Sequence, residues 1–155
     1  MKNLFKISIT LLFIAAACKP SSRGVVQHEN IGTQPDGITE KYWKLVELNG
    51  NQVVFDDSIA REPFIILKDD NNRVNGHGGC NNLTGTYEID SAANRIKFSQ
   101  MTSTMMACLN MDIEDGLKRA LEIADNYALS DDGKYMSLNR ARMAPLARFE
   151  VVYLK

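Results

Sequence analysis

The chain has 155 residues and a formal net charge of −1, with 18 lysines and arginines against 19 aspartates and glutamates. That near balance, with no basic run carrying interleaved aromatics, speaks against nucleic acid or a polyanionic surface as the main partner. With 45% hydrophobic residues, the length suits one domain that buries a substantial core.

Met1-Lys2-Asn3-Leu4-Phe5-Lys6 makes a positive start, and an apolar stretch from Ile7 to Ala17 follows. Its length suits a signal-peptide core and falls short of a spanning helix. The stretch ends Ala15-Ala16-Ala17-Cys18-Lys19-Pro20. Three small residues and then a cysteine resemble the lipobox of bacterial lipoproteins, with Ala15 where that motif more often has leucine. The resemblance implies cleavage before Cys18 and diacylation of its thiol; the alternative is an ordinary secretory signal cut near Ala17. Two or more acyl chains, at about 0.8 kcal/mol per buried methylene, hold a domain stably at a membrane. Lys19 stands where lipoproteins held in the inner membrane usually carry aspartate, so the expected location is the outer membrane. No acidic surface-export signal follows, which points to its periplasmic face. Cleavage removes Lys2 and Lys6 and leaves 16 basic against 19 acidic residues, a net charge of about −3.

Lys19 to Thr39 contains Pro20, Gly24, Gly32, Pro35 and Gly37 with only isolated apolar residues, and reads as a flexible tether in which His28 is solvated. The expected division is a signal peptide over 1–17, a lipidated N-terminus and tether over 18–39, and a domain over 40–155.

From Lys41 the pattern shifts to short strands. Trp43 and Leu45 fall on one face of the first, with Tyr42, Val46 and Leu48 on the other. Asn49-Gly50 is a strong hairpin signal, and Gln52 to Phe55 is the predicted return. Pro63 to Leu67 follows, then a turn at Asp69-Asp70-Asn71-Asn72, a strand from Arg73 to Gly76, and strands over Thr84–Asp90 and Arg95–Phe98. Asn110 or Asp112 is placed to cap a helix. Asp112, Glu114 and Asp115 suit its positive end. Ile113, Leu117, Ala120, Leu121 and Ala124 form one apolar stripe, expected to pack on the sheet. Tyr127–Leu129, a turn at Asp132-Gly133, Tyr135–Leu138 and a last strand from Leu146 to Leu154 complete the chain; in that last strand Phe149, Val151 and Tyr153 face inward. About eight short strands and one helix imply a mainly β fold with antiparallel pairing. One buried face favours a sheet that curls to hide its edges.

If Cys18 carries lipid, the other two of the three cysteines, Cys80 and Cys108, remain as a pair in a compartment where disulfides form. A bridge would stabilise the fold by roughly 3–4 kcal/mol on the loop-entropy account. The alternative is two buried thiols acting as small hydrophobes. Gly76, Gly78, Gly79 and Gly85 crowd the same region and mark a bulge, bend or close backbone approach, and Asn81-Asn82 suits a tight turn.

Val74-Asn75-Gly76-His77-Gly78-Gly79-Cys80-Asn81-Asn82-Leu83-Thr84-Gly85-Thr86-Tyr87, followed by Thr102-Ser103-Thr104-Met105-Met106-Ala107-Cys108, resembles the META/HslJ-like domain family. That family's pattern is Gly-Cys-Asn, a Gly-x-Tyr strand, then Thr-x-Met-Ala-Cys before a helix. The likeness extends to Trp43-Lys44-Leu45 and Phe149 and covers about residues 40–155; it departs at Gly116-Leu117, where a bulky aromatic is often found. The resemblance implies a lipocalin-like open β-barrel or strongly curved sheet with one packed α-helix. It also implies an envelope protein, often a lipoprotein, associated with stress responses and with no established reaction. The motif residues Trp43, Gly79, Cys80, Asn81, Gly85, Tyr87, Thr104, Met106, Ala107 and Cys108 are read as structural, with a Cys80–Cys108 bridge pinning the bend to the helix approach.

Catalytic and metal chemistry is weighed on the same residues. His77 and Cys80 with Cys108 could offer three soft metal ligands, and a Cys80–His77 pair a nucleophile and base. A disulfide removes both options. No nucleophile elbow, phosphate-cradling loop or His-Glu-x-x-His is present. Asp56-Asp57, Asp69-Asp70 and Asp131-Asp132 fall in predicted turns. The methionines at 101, 105, 106, 111, 136 and 143 suit core filling, with an adaptable wall or a copper(I) site as the alternative. We therefore expect no enzyme, no cofactor and no metal. The expected function is a membrane-anchored module that binds or protects an envelope component, whether a protein or a small ligand, with an apolar-ligand binder using a barrel cavity as the alternative. Cavity size separates the two: a barrel filled by Trp43, Phe64, Tyr87, Phe98 and Phe149 leaves no room for a ligand.

Overall fold

The computed structural model describes residues 37–55, 59 and 61–153. Cys18, the expected signal and nearly all of the expected tether lie outside these residues. Among the described residues there are nine strands, one α-helix and a short 3-10 turn at Asp70–Asn72: β1 Tyr42–Leu48, β2 Asn51–Gln52, β3 Phe64–Lys68, β4 Arg73–His77, β5 Asn82–Asp90, β6 Arg95–Ser103, α1 Asp112–Ile123, β7 Asn126–Leu129, β8 Tyr135–Asn139 and β9 Ala147–Val152. The strands form one antiparallel sheet in the order β2-β1-β3-β4-β5-β6-β7-β8-β9, and pairing of β1 with β9 draws it into a curved ring. The expected fold, a strongly curved antiparallel sheet with one helix, is the observed one. No helix among the described residues is long and apolar enough to cross a membrane.

Alternation along the strands fills the ring. Trp43 and Leu45 of β1, Ile65 and Leu67 of β3, Val74 of β4, Met136 and Leu138 of β8 and Phe149 of β9 are almost completely shielded from solvent and share one core. Each such side chain contributes about 1.5–3 kcal/mol when buried. The helix completes this core. β6 and β7 are joined at one registered pair, Arg95 with Asn126, and α1 packs along β6. Leu117, Ala120 and Leu121 enter the same cluster, as the stripe predicted. Gly116, the departure from the family's pattern, lies against Leu48: a Cβ there would come within 2.6 Å of the leucine Cδ2.

Several local expectations are corrected. Strict alternation places Leu48 opposite Trp43, yet it is buried with it. The β1–β9 register shifts between Leu45 and Glu47, and one extra residue reverses the faces that follow. The Asn49-Gly50 hairpin is present, with Asn49 at φ 50°, but its return strand β2 has two residues and Val54 and Phe55 are exposed. Phe64 lies outside the central core and stacks on Tyr42, ring centroids 4.3 Å apart, because its neighbour Ile65 takes the inward position beside Trp43. Tyr153 follows the end of β9 and is 68% exposed rather than inward. Asp112 is the first helical residue, not the cap; Asn110 Oδ1 accepts its N–H at 2.9 Å.

Candidate functional site

The motif residues converge where β4 turns into β5. The strand ends at His77, and Gly78-Gly79-Cys80-Asn81 forms the bend. Gly79 adopts φ +115°, a conformation that side chains rarely accept. Asn81 closes this bend, its carbonyl accepting the Gly78 N–H at 2.8 Å; Asn82 begins β5, and neither residue has a positive φ. A Cβ on Gly78 would stand 2.5 Å from Glu114 Cγ, so the missing side chain admits the first turn of α1. Cys80 and Cys108 are joined by a disulfide, Cα atoms 6.0 Å apart.

Asn81 organises the bend and the segment that crosses to the helix. Its Oδ1 accepts from Thr104 Oγ1 at 2.7 Å and from the Met106 N–H at 2.7 Å. Its Nδ2 donates to the Met106 carbonyl at 3.0 Å and to Glu114 Oε1 at 3.0 Å. That uses the full capacity of an amide: two donors and two lone pairs. Glu114 Oε2 in turn accepts the backbone N–H of Asn81 at 2.6 Å and that of Cys80 at 3.3 Å. Glu114 is only 2% exposed. In a capping box a glutamate at the third helical position reaches back to its own helix start; here the N-cap is Met111, and Glu114 satisfies the bend of another segment. Thr104 adds a further tie, its Oγ1 accepting the Asn82 N–H at 3.2 Å.

His77 flanks this brace. Its Nδ1 accepts the Gly79 N–H at 3.1 Å, which leaves the ring proton on Nε2. Burial lowers its pKa, nearby Arg61 lowers it further, and Glu114 opposes them. Among the described residues, no buried side-chain nitrogen or oxygen lacks a partner. No group of three histidine, cysteine, aspartate or glutamate side chains there could hold a metal ion.

The remaining motif residues have other places. Trp43 Nε1 donates to the Ile38 carbonyl at 2.7 Å, Tyr87 donates to the Lys68 carbonyl at 3.2 Å, and Gly85 lies under the Met101 sulfur. Met106 contributes its backbone while its side chain is exposed, and Ala107 is exposed. Met136 is in the core, and Met105 and Leu109 project into solvent. The residue that sequence reasoning missed is Glu114, taken as one of three acids at a helix start. Its position three residues after the N-cap was the available signal. Chemically the arrangement is a brace: its thiols are bonded to each other and both oxygens of its carboxyl accept hydrogen bonds.

The family model described as the META domain matches residues 36–153. No curated protein matches the chain. Among solved structures, it is similar to a protein from Burkholderia xenovorans determined by NMR, with a TM-score of 0.59 and 19% identity over 74% of this chain and 83% of that one. It is also similar to a DUF4847-family protein from Bacteroides vulgatus ATCC 8482, with a TM-score of 0.55 and 14% identity over 73% of this chain and 93% of that one. At these identities the likeness establishes the shared fold.

Proposed function

The chain belongs to the META domain family, and we propose that it is an envelope lipoprotein whose domain is a non-enzymatic module that binds or protects another envelope component, in the setting of envelope stress. The observation that carries this reading is the packed interior. Trp43, Leu45, Met136, Leu138 and Phe149, each at most 1% exposed, occupy the space in which a ring of this kind would hold a ligand. Binding therefore falls to the outer surface, and the packing opposes the alternative of an apolar ligand inside the ring. The Cys80–Cys108 bridge suits an exported domain, and the Ala-Ala-Ala-Cys boundary supplies the anchor. Acyl chains on Cys18 hold the protein at the outer membrane, and the tether gives the domain reach toward periplasmic partners.

Two measurements test the reading. Mass spectrometry of the mature N-terminus is expected to find acylated Cys18; an unmodified first residue elsewhere overturns the lipoprotein assignment. Crosslinking in intact envelopes is expected to capture a defined partner at the domain surface, and its absence at every surface position counts against a binding module.

A further inference from the structure

The strand directions place the bend, the disulfide and the start of α1 at one end of the ring. At the other end lie the approach to β1, the β5–β6 turn, the β7–β8 hairpin and the end of β9. These four segments enclose an open cleft of about 1070 Å³, just above the usual range for small-molecule sites and roomy enough for a ligand of several rings. Its floor is apolar, with Ile38 1% and Tyr127 7% exposed, and Tyr153 stands at its edge with the ring uncovered. Ser91, Asn94, Asp131 and Lys41 supply polar groups around it.

We propose that this cleft binds a neutral oligosaccharide, with Tyr153 as the stacking platform and Asn94, Ser91 and Asp131 as hydrogen-bonding groups. A pyranose ring presents an apolar C–H face and a belt of hydroxyls that both donate and accept. An exposed phenol ring matches the first. An amide, a hydroxyl and a carboxyl together match the second. Charge narrows the ligand further: Asp132 is paired with Lys134 Nζ at 3.4 Å, and the other charges of the lining, Asp131 and Lys41, are one of each sign, so no excess of cations invites a phosphorylated or uronic glycan. A fatty chain is opposed because it would strip water from this polar rim without replacing its hydrogen bonds.

The rim is held in shape by groups other than those assigned to the sugar. Asp132 Oδ1 accepts from Ser130 Oγ at 2.6 Å and from the Lys134 N–H at 3.0 Å, fixing the hairpin. Asp90 Oδ1 accepts the N–H groups of Ala92 and Ala93 at 3.0 and 3.1 Å, fixing the β5–β6 turn. The backbone carbonyl of Asn94 accepts the Tyr127 N–H at 3.0 Å, which joins the two sides. A site organised before binding loses less in ordering itself.

The inference rests on the reading of the domain as an envelope-binding module and names its ligand class and place. The test is an NMR titration of the mature chain, made soluble by Cys18→Ser, with chitotetraose and separately with cellotetraose. Saturable shifts are expected in residues 91–94, 130–133 and 153 and not at the Cys80 bend. Response to chitotetraose alone assigns an N-acetylated glycan; equal response to both assigns a plain β-linked glycan. Tyr153→Ala is expected to weaken binding about tenfold or more, and Met105→Ala to leave it unchanged. The proposal is overturned if neither sugar gives saturable shifts up to about 10 mM. It is equally overturned if Tyr153→Ala and Asn94→Ala bind as tightly as the parent chain. Cys18 acylation and envelope crosslinking are read separately, so silence from the sugars removes the glycan assignment alone.

Discussion

Removing the carboxyl of Glu114 tests the brace directly. Glu114→Ala strands three donors that now share it: the N–H groups of Cys80 and Asn81 and the Nδ2 of Asn81. Each buried donor left without a partner costs about 1–3 kcal/mol. The three share one site and do not add fully, so we expect a loss of about 3–5 kcal/mol, a large fraction of the roughly 5–15 kcal/mol that holds a domain together. Glu114→Gln keeps the shape and one acceptor oxygen, but its NH₂ faces donors; a loss of about 1–3 kcal/mol is expected. In urea, with a slope near 1–3 kcal/mol per molar, the alanine variant should unfold at a midpoint lower by about 1–5 M. The glutamine variant should fall between it and the parent. Fluorescence of Trp43, fully buried in the parent, reports the transition. An alanine variant within about 1 kcal/mol of the parent would refute the reasoning. So would a glutamine variant as unstable as the alanine one.

Four further outcomes are expected. Reduction of the Cys80–Cys108 bridge, which spans 28 residues, should lower stability by about 3–4 kcal/mol, measured by urea unfolding with and without reductant. Leu117→Ala and Leu121→Ala, both fully buried, should each cost about 2–5 kcal/mol in the same assay; unchanged melts for both would mean the stripe is not in the core. The folded His77 titrates below its ordinary value of 6.5, chiefly through burial, so the unfolded chain binds the extra proton first. Stability present above pH 6.5 should therefore fall as the pH drops below it, and His77→Gln should flatten that slope between pH 6.5 and the onset of carboxylate titration. Burial, followed by the Glu62 carboxylate, pushes Tyr42 up to about 12. Alkaline ultraviolet titration should show a late-ionising phenol that Tyr42→Phe removes.

Local chemistry made much of this protein legible from its residues alone. The period of two in Thr84–Asp90 and Arg95–Phe98, the Asn49-Gly50 turn and the stripe from Ile113 to Ala124 each express a preference that a short segment carries by itself, and each appears in the structure. The cysteine count and glycine crowding marked the bend before its geometry was known. What lay beyond local reading depended on register between distant segments. The shift between Leu45 and Glu47 is created by pairing with β9 and turns Leu48 inward. Phe64 loses the core to Ile65 because β1 sets which residue faces Trp43. Asn81 and Glu114, 33 residues apart, carry no shared pattern in the chain. Their buried contact exists because the glycine bend, the disulfide and the helix start are brought to one place. Propensity and alternation act over a few residues, whereas a buried carboxyl finds its donors only after the ring has closed around it.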